Sequence, residues 1–314
     1  MNAAVPLGRT VTVKVPATTA NLGPGFDTLG LALSVYDELE FTARAEPGAT
    51  IRVEGVGADG GVPTDESSLV VRAVKHTFEK YGQQMPGLDV VARNAIPHGR
   101  GMGSSGAAIV AGVMAAKGLL EGIVDIDAEG LLTRATELEG HPDNVAPALF
   151  GGLTIAWMTD EGPAHKKLLV HRGVSPVVFV PDFTMSTSVA RSLQPHTVPR
   201  EDAVFNVSRS ALLIAALTQS PELLLAATED RLHQGYRAEA MPQTDALVRT
   251  LRAHGFAAVV SGAGPSVLVL ADGPGRRLEA ADIAAATSDA PWEALMLAVD
   301  FKGATVREPT EGST

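Results

Sequence analysis

The chain has 314 residues, more than one hydrophobic core usually supports, so two domains of about 150 residues each are expected. Hydrophobic residues make up 45% and charged residues 19%, as in soluble globular proteins, and the net charge of -11 argues against nucleic acid or an anionic membrane as the main partner. The chain has no cysteine, which excludes disulfides and thiolate chemistry and agrees with a reducing compartment.

The first half of the chain predicts strands before helices. The segment RTVTVKVPATTANLG alternates up to Pro16 and predicts a strand that ends in a polar loop. The segments GLALSVYDELEFTARA and ATIRVEGVG predict further strands of an antiparallel sheet. Apolar residues at helical spacing then predict a helix from Leu69 to Phe78, closed by Gly82, and GLDVVARNAIP predicts another strand.

Two helices are predicted in the middle of the chain. The run that starts at Ser104 is apolar nearly all round, which indicates a buried helix. The next helix begins at an N-cap aspartate, Asp127, and GGLTIAW predicts a strand after it. The longest uncharged run, Ala107 to Ala116, is too short to span a membrane, and the N-terminus has no apolar signal segment, so we expect a cytoplasmic protein.

The pattern changes after about Asp160. The predicted elements are, in order, a strand, three helical runs between Asp202 and His254, two strands, a helical run and a last strand. This alternation predicts an α+β second domain of ferredoxin-like type. The tail REPTEGST is expected to fray.

A glycine-rich stretch, IPHGRGMGSSGAAIVAGV, lies between a predicted strand and a predicted helix. It is not a Walker A loop, because Ser104 stands where that loop has lysine, and it lacks the distant acidic residue of a dinucleotide loop. Glycines still allow close approach of a ligand, and free N–H groups at a helix N-terminus attract anions. The hydroxyls of Ser104 and Ser105 could reach phosphate or Mg²⁺, or could merely cap the helix, so a phosphate cradle and a tight turn both stay open.

Two further groups of polar residues stand out. Asn21 and Asp27 flank a Gly-Pro-Gly turn, a pattern typical of turns as well as of sites. Four side chains of ligand type fall within eight residues, at a predicted helix end and in the loop beyond it: Glu137, His141, Asp143 and Asn144.

Four segments together resemble the signature regions of the GHMP kinases, most nearly the homoserine kinases: PATTANLGPGFDTLG, PHGRGMGSSGAA, ELEGHPDNVAPALFGG and VVSGAGPSVLVL. The resemblance extends from about Val13 to about Leu270 and fits the remaining length. It implies an α+β fold of two domains. The N-terminal ATP-binding domain, residues 1–160, would resemble the second domain of ribosomal protein S5, and the C-terminal domain, residues 161–314, would be ferredoxin-like.

The resemblance implies ATP-dependent phosphorylation of the side-chain hydroxyl of L-homoserine to O-phospho-L-homoserine, a step of threonine biosynthesis, with ATP and Mg²⁺. The alternatives are a GHMP kinase for another hydroxyl substrate, such as mevalonate or shikimate, and a catalytically silent nucleotide-binding regulator. We expect homoserine as the small-molecule partner, no nucleic-acid or membrane partner, and a homodimer as one candidate assembly.

In GHMP kinases the glycine-rich loop wraps the ATP phosphates. The implied ATP-binding residues are Pro97, His98, Gly99, Arg100, Gly101, Met102, Gly103, Ser104, Ser105, Gly106 and Ala107. Ser105 and Glu137 would hold Mg²⁺, which needs only one or two protein oxygens besides phosphate. Glu137 could instead form a surface pair with Arg134, three residues earlier. Ser68 stands where many members have asparagine near the adenine, which leaves the base contacts open.

The resemblance also implies a substrate site. Its residues are Asn21, Asp27, His141, Asn144, Thr187, Arg191, Arg237 and Gly262. Asp27 and Asn21 would face the ammonium group, and Arg191 and Arg237 the carboxylate, for which a guanidinium fork is well suited.

The catalytic candidates are Asn144, Asp143 and Glu137. Asp143 matches the aspartate that is the base in mevalonate kinase, whereas Asn144 matches the asparagine that homoserine kinases place against the acceptor hydroxyl. Thr18 stands where mevalonate kinase has a lysine, so an Asp/Lys pair is absent. The identity of a base stays open.

Overall fold

The computed structural model describes residues 4–288 and 290–308, which form two β-sheets with helices packed against them. The strands are β1 (Thr10–Asn21), β2 (Gly25–Arg44), β3 (Ala49–Gly55), β4 (Gly87–Asn94), β5 (Leu153–Thr159), β6 (Gly162–Leu168), β7 (Val174–Pro181), β8 (Ala257–Val260), β9 (Val267–Asp272), β10 (Trp292–Met296) and β11 (Thr305–Arg307). The helices are α1 (Leu69–Lys80), α2 (Ser104–Leu119), α3 (Ala128–Glu139), α4 (Pro142–Phe150), α5 (Thr187–Ser192), α6 (Arg200–Thr218), α7 (Leu224–Ala227), α8 (Gln234–Arg237), α9 (Pro242–Ala253) and α10 (Pro274–Thr287).

The first sheet is built around the long strand β2. The strand order is β11-β1-β2-β4-β3, and β5 pairs with the N-terminal part of β2 and with β6. Leu39 of β2 lies opposite Val13 of β1 and Ala92 of β4, and all three are buried. Their common face forms part of the hydrophobic core, because alternate residues of paired strands point to the same side of a sheet.

Strand β3 differs from the prediction. It pairs with β4 in parallel, with Ala49 opposite Leu88 and Gly55 opposite Asn94, whereas an antiparallel neighbour was expected. The reason is the connection: α1 lies between the two strands, and a crossover of this length returns the chain in the same direction. The helix itself forms as predicted and is followed by Gly82 in the left-handed region.

Helix α2 is buried on nearly all sides, as its sequence predicts. It packs against α1, α3, α4 and β1. A Cβ atom at Gly112 would lie 2.4 Å from the carbonyl oxygen of Val70, so α1 and α2 come too close together for a side chain at this position. This packing fixes the N-terminus of α2, where the glycine-rich loop joins it.

The second sheet has four antiparallel strands in the order β10-β7-β9-β8. Numbered along the chain from β7, this is the order 4-1-3-2, with α9 before the second strand and α10 between the third and the fourth. The topology confirms the ferredoxin-like prediction for the C-terminal part.

The predicted boundary after residue 160 needs correction. It falls in the turn between β5 and β6, which pair antiparallel in the first sheet. Near the end of the chain, β11 also returns to the first sheet, with Arg307 opposite Thr12. The change of sheet therefore lies between Leu168 and Val174. A hairpin turn and a domain linker have the same polar, glycine-containing character, so composition could not separate them.

Helix α4 was predicted as a loop. Pro142 lies in the first helical turn, where proline is tolerated, and Pro147 lies inside the helix. Two prolines in nine residues are typical of a loop, which is why the helix was not predicted. The part of the tail beyond residue 308 lies outside the described residues. None of the described helices combines the length and apolar character needed to cross a membrane.

Candidate functional site

The glycine-rich loop between β4 and α2 turns its carbonyl groups away from a pocket. Four successive carbonyls, at residues 99–102, accept hydrogen bonds from other parts of the protein: from Met185 N at 3.0 Å, Ser266 N at 3.4 Å, Ser261 Oγ at 2.6 Å and Thr18 N at 3.1 Å. The backbone amides of residues 101–106 donate to no acceptor within the described part of the chain. Free N–H groups on one side and occupied carbonyls on the other make an anion-binding nest.

Glycines make this loop geometry accessible. Gly99, Gly101 and Gly103 have φ of 63°, 73° and 71°, in the left-handed region that residues with a side chain avoid. A Cβ atom at Gly101 would lie 2.2 Å from the carbonyl oxygen of Ser261. The loop therefore depends on glycine both for its backbone conformation and for the close approach of the second half of the chain.

Arg100 of this loop uses its side chain to bond to backbone carbonyls of the protein. Its guanidinium donates to the carbonyl oxygens of Pro181 and Asp182, both at 2.8 Å, and of His98 at 3.1 Å. The side chain therefore ties the loop to the end of β7 in the second sheet.

Ser105, in the first turn of α2, pairs with a carboxylate that the sequence analysis missed. Its Oγ donates to Glu139 Oε1 at 3.0 Å, at the C-terminal end of α3. Burial raises the pKa of Glu139, although the charge of His141 and the Ser105 hydrogen bond partly offset the effect. A half-buried carboxylate beside a hydroxyl at the mouth of an anion nest is a pair of oxygen ligands suited to Mg²⁺.

Glu137, the predicted metal ligand, lies on the other side of α3 and outside the pocket. It bonds to His76 Nε2 at 2.6 Å, to Lys80 Nζ at 3.4 Å and to Arg134 Nη1 at 3.1 Å. Burial would raise its pKa, but the bonds to these partners outweigh burial and lower it. The metal-ligand prediction for Glu137 is therefore contradicted by its position, and the surface pair with Arg134 is present.

Asn21 and Asp27 hold the turn between β1 and β2 at the other end of the pocket. Both have positive φ, 70° and 53°, which is uncommon for residues other than glycine. Asn21 Oδ1 accepts from the backbone N–H of Asp27 at 3.0 Å, and Asn21 Nδ2 donates to the carbonyl of Gly262 at 2.9 Å. The Asp27 carboxylate accepts two bonds from Arg191 of α5, at 2.9 and 3.3 Å.

Arg237 presents a buried positive charge to the same pocket. The side chain is 2% exposed and donates to the carbonyl oxygens of Ala190 at 3.2 Å and Gly262 at 3.3 Å. Burial lowers its pKa, and the nearby charge of Asp27 partly offsets this. No carboxylate in the described ranges lies within ion-pair distance of Arg237, so its charge lacks the direct partner that buried guanidinium groups usually have.

His141 and Asp143 form a close pair at the start of α4. His141 Nδ1 bonds to the Asp143 carboxylate, which is 1% exposed. Burial disfavours the charged imidazole, but the hydrogen bond and the charge of Asp143 outweigh burial and raise the pKa of His141. One ligand atom each of Asp27, His141 and Asp143 lies within 4.8 Å of the others, so this end of the pocket can receive a cation such as an ammonium group.

The structure brings most of the predicted residues together. The predicted residues that line the polar pocket are Asn21, Asp27, Gly99, Gly101, Gly103, Ser104, Ser105, Asp143, Asn144, Arg191, Arg237 and Gly262. The residues that the sequence analysis missed there are Glu139, Met185, Ser186, Ala263 and Gly264. Glu139 stands two residues after Glu137 in the motif ELEGHPDNVAPALFGG, and Ala263 and Gly264 stand in the motif VVSGAGPSVLVL, so the sequence pointed to these segments.

The remaining predicted residues take other places. Pro97, Arg100, Met102, Gly106 and Ala107 do not line the pocket and shape the loop behind it. His141 reaches the pocket through Asp143. Thr187 begins α5, and its side chain lies outside the described part of the structure.

An apolar pocket adjoins the polar one and shares Ser104 and Ser105 with it. Its walls come from β2, β3, β4 and the start of α1, and include Leu39, Val53, Leu69 and Val90. Ser68, His98 and Asn94 supply polar groups at this pocket. An apolar slot, an anion nest and a charged pocket therefore follow one another along a continuous groove.

Comparisons with known proteins agree with this geometry. Residues 68–152 match the family model described as GHMP kinases N terminal domain, and residues 211–289 match GHMP kinases C terminal. The chain is similar to a homoserine kinase of Leifsonia xyli subsp. xyli, at 72% identity over 95% of this chain and 92% of that protein. It is also similar to a homoserine kinase of Clavibacter michiganensis subsp. michiganensis, at 70% identity over 100% of this chain and 99% of that protein.

Solved structures agree as well. The crystal structure of a homoserine kinase from Cytophaga hutchinsonii superposes with a TM-score of 0.84 at 26% identity, covering 96% of this chain and 98% of that one. A mevalonate kinase of L. major, solved with R-mevalonate, superposes with a TM-score of 0.70 at 16% identity over 96% of this chain and 99% of that one, a likeness of fold alone.

Proposed function

This chain belongs to the homoserine kinases of the GHMP kinase family, and on that premise we propose that it phosphorylates the side-chain hydroxyl of L-homoserine. The products are O-phospho-L-homoserine and ADP, and the reaction is a step of threonine biosynthesis. The observation that carries the proposal is the arrangement of the groove, in which an anion nest opens directly onto a small pocket lined by three carboxylates and two guanidinium groups.

ATP fits the apolar pocket and the loop. The adenine takes the slot between β3, β4 and α1, and the free amides of residues 101–106 hold the β- and γ-phosphates. The loop offers hydrogen-bond donors in a fixed arrangement, which costs little reorganisation when the phosphates bind.

Mg²⁺ fits the Ser105 and Glu139 pair. Ser105 and Glu139 would hold the ion, because a hydroxyl and a carboxylate oxygen 3.0 Å apart are the hard oxygen donors that Mg²⁺ prefers. When bound, the ion supplies positive charge against the phosphate oxygens. Glu139 takes the role that the sequence analysis assigned to Glu137.

Homoserine is a zwitterion, and the charged pocket offers a group of opposite charge to each end. The Asp27 carboxylate binds the ammonium group, and Arg191 and Arg237 bind the carboxylate, which supplies the buried Arg237 with an anionic partner. Mevalonate and shikimate carry a carboxylate but no ammonium group, so neither satisfies Asp27.

The reaction is an in-line transfer. The homoserine hydroxyl oxygen forms a bond to the γ-phosphorus, and the bond from phosphorus to the β–γ bridging oxygen breaks, with its electron pair leaving on ADP. The hydroxyl proton passes to an oxygen of the transferred phosphoryl group and then to water. Asp143 is not required as a base, because a loose transition state needs little proton removal from the attacking hydroxyl.

We also propose a cytoplasmic location, in keeping with the absence of cysteine, and a homodimer as one candidate assembly. A catalytically silent regulator is disfavoured because the loop, Ser105 and a carboxylate beside it are all present.

The test is an ADP-release assay with L-homoserine, mevalonate and shikimate as separate acceptors. We expect kcat/KM for L-homoserine to exceed that for either other acceptor by about 10- to 150-fold, because one charged contact, between the ammonium group and Asp27, separates the substrates and is worth about 1.5–3 kcal/mol. Turnover of mevalonate in place of homoserine would overturn the proposal. ATP binding without turnover of any acceptor would favour the silent regulator.

A further inference from the structure

Thr18 lies within β1, behind the phosphate loop, and its side chain is fully buried. Both of its hydrogen-bond donors bond to residues that shape the groove. The backbone N–H donates to the carbonyl of Met102 at 3.1 Å, and the side-chain hydroxyl donates to Asn144 Oδ1 at 3.0 Å. One residue thus holds both the loop that receives phosphate and the amide at the start of α4.

The contact between these parts leaves no room for another side chain. A Cβ atom at Gly103 would lie 2.0 Å from Thr18 Oγ1 and 3.2 Å from Asn144 Oδ1. Gly103 of the loop therefore packs directly against the hydrogen bond between Thr18 and Asn144. The bond between them lies against the last residue before α2, where the anion nest is centred.

The hydrogen bond fixes which end of the Asn144 amide faces the pocket. A threonine hydroxyl carries one proton, and an asparagine amide has an acceptor oxygen on one side and a two-proton donor on the other. Because Thr18 donates to Oδ1, the nitrogen Nδ2 is turned elsewhere. Within the described residues Nδ2 has no acceptor, and Asn144 lines the polar pocket beside Gly103 and Asp143.

Resting on the proposed homoserine kinase function, we propose that Thr18 is a positioning residue that locks the Asn144 amide as a hydrogen-bond donor to the acceptor hydroxyl oxygen. An amide nitrogen has no basic lone pair, so Asn144 holds and orients the attacking oxygen and removes no proton. Thr18 lies behind this contact and touches neither substrate. Its effect reaches the reaction through one hydrogen bond.

The first experiment is a double-mutant cycle on Thr18→Val and Asn144→Ala, with kcat and both KM values measured. Valine keeps the shape of threonine and removes the donor. We expect kcat of Thr18→Val to fall about tenfold, with both KM values nearly unchanged, because loss of orientation acts on the chemical step. Thr18→Ser keeps the hydroxyl and should recover most of that kcat. In the Asn144→Ala background, Thr18→Val should change kcat by no more than about twofold.

A matched control separates this effect from loss of a buried hydroxyl in general. Thr77 is also fully buried, and among the described residues its hydroxyl bonds only within α1, to the carbonyl of Ala73 at 2.8 Å. Thr77→Val should leave kcat unchanged. Multiplicative losses for Thr18→Val and Asn144→Ala, or a Thr18→Val enzyme with wild-type kcat, would overturn the proposal.

A second variant keeps the proposal testable even where Thr18→Val folds poorly. Asn144→Asp retains an oxygen for the Thr18 hydroxyl but replaces the donor nitrogen by a carboxylate oxygen. We expect its kcat to fall and to stay low as the pH rises, whereas a residue in the place of a base would gain activity from this change. Wild-type turnover of L-homoserine, measured alongside, tests the proposed function separately: an active wild type with an active Asn144→Asp refutes only the role of Thr18 and Asn144.

Discussion

The two glutamates at the end of α3 offer a sharp test of the site. They stand two positions apart, so on a helix with 3.6 residues per turn they point in directions about 200° apart. Glu139 faces Ser105 and the polar pocket, and Glu137 faces three cationic or polar partners on the surface. Glu139→Gln and Glu137→Gln are therefore matched variants with the same chemical change on opposite sides of one helix.

The expected magnitudes differ because the two carboxylates do different things. A contact to a charged group is worth about 1.5–3 kcal/mol, and 1.4 kcal/mol corresponds to a factor of ten in rate, so Glu139→Gln should lower kcat/KM by about 10- to 150-fold. Glu137→Gln removes an exposed ion-pair network worth at most about 1 kcal/mol of stability and should leave turnover unchanged.

The assay is ADP release with L-homoserine at a series of Mg²⁺ concentrations and fixed ATP. Glu139→Gln should need about tenfold more Mg²⁺ for half-maximal rate, and Glu137→Gln should follow the wild-type curve. Thermal unfolding of both variants checks that each is folded. A Glu137→Gln enzyme that needs more Mg²⁺, beside a Glu139→Gln enzyme that behaves as wild type, would refute the reasoning.

Three further predictions address other parts of the groove. Arg237→Lys should raise KM for L-homoserine about 30-fold with KM for ATP unchanged in steady-state assays, because lysine cannot make both bonds of the guanidinium fork. Gly103→Ala should raise KM for ATP about tenfold and lower the unfolding temperature, because alanine at a φ of 71° costs about 1 kcal/mol and its Cβ would lie 2.0 Å from Thr18 Oγ1. Asp143→Asn should lower the pKa of His141, measured by NMR titration of the imidazole, because the main group that raises this pKa is removed.

Each of these three predictions has an outcome that would contradict it. Wild-type KM for L-homoserine in Arg237→Lys, or for ATP in Gly103→Ala, would contradict the placement of that residue. For the histidine pair the sign is fixed: the folded pKa of His141 lies above 6.5, so the pair stabilises the fold fully below pH 6.5 and less as the pH rises through the folded value. The stability difference between wild type and Asp143→Asn, measured by unfolding at several pH values, should therefore shrink toward high pH. A difference that grows would contradict the pairing.

The local elements of the fold were largely predictable. Helices α1 and α3 follow from apolar spacing with clear ends, and the alternation of strands and helices after residue 168 predicted the ferredoxin-like sheet. Strand direction was harder, because β3 has the same alternating pattern whether its neighbour is parallel or antiparallel. Helix α4 was predicted as a loop, because proline at the first position is typical of helix starts as well as of loops.

The sequence by itself determined the local properties of the glycine-rich loop and the motifs that identify the family. Glycines at three positions of one loop and serines at the start of α2 allowed a phosphate cradle or a tight turn, because backbone freedom is a local property. The four motifs in order, through their resemblance to the GHMP kinases, implied the ATP loop and the two-domain fold. It also placed Asp27, Arg191 and Arg237 among the substrate residues, though only through the resemblance.

Tertiary structure alone decided which groups meet. The sequence ELEG offers two glutamates, and the packing of α3 against α1 and α2 turns one toward Ser105 and the other toward His76. Thr18 and Asn144 are 126 positions apart, and no periodicity connects them. The orientation of the Asn144 amide follows from a single hydroxyl proton, and that bond exists only because β1, the loop and α4 pack around Gly103 with no room for a side chain.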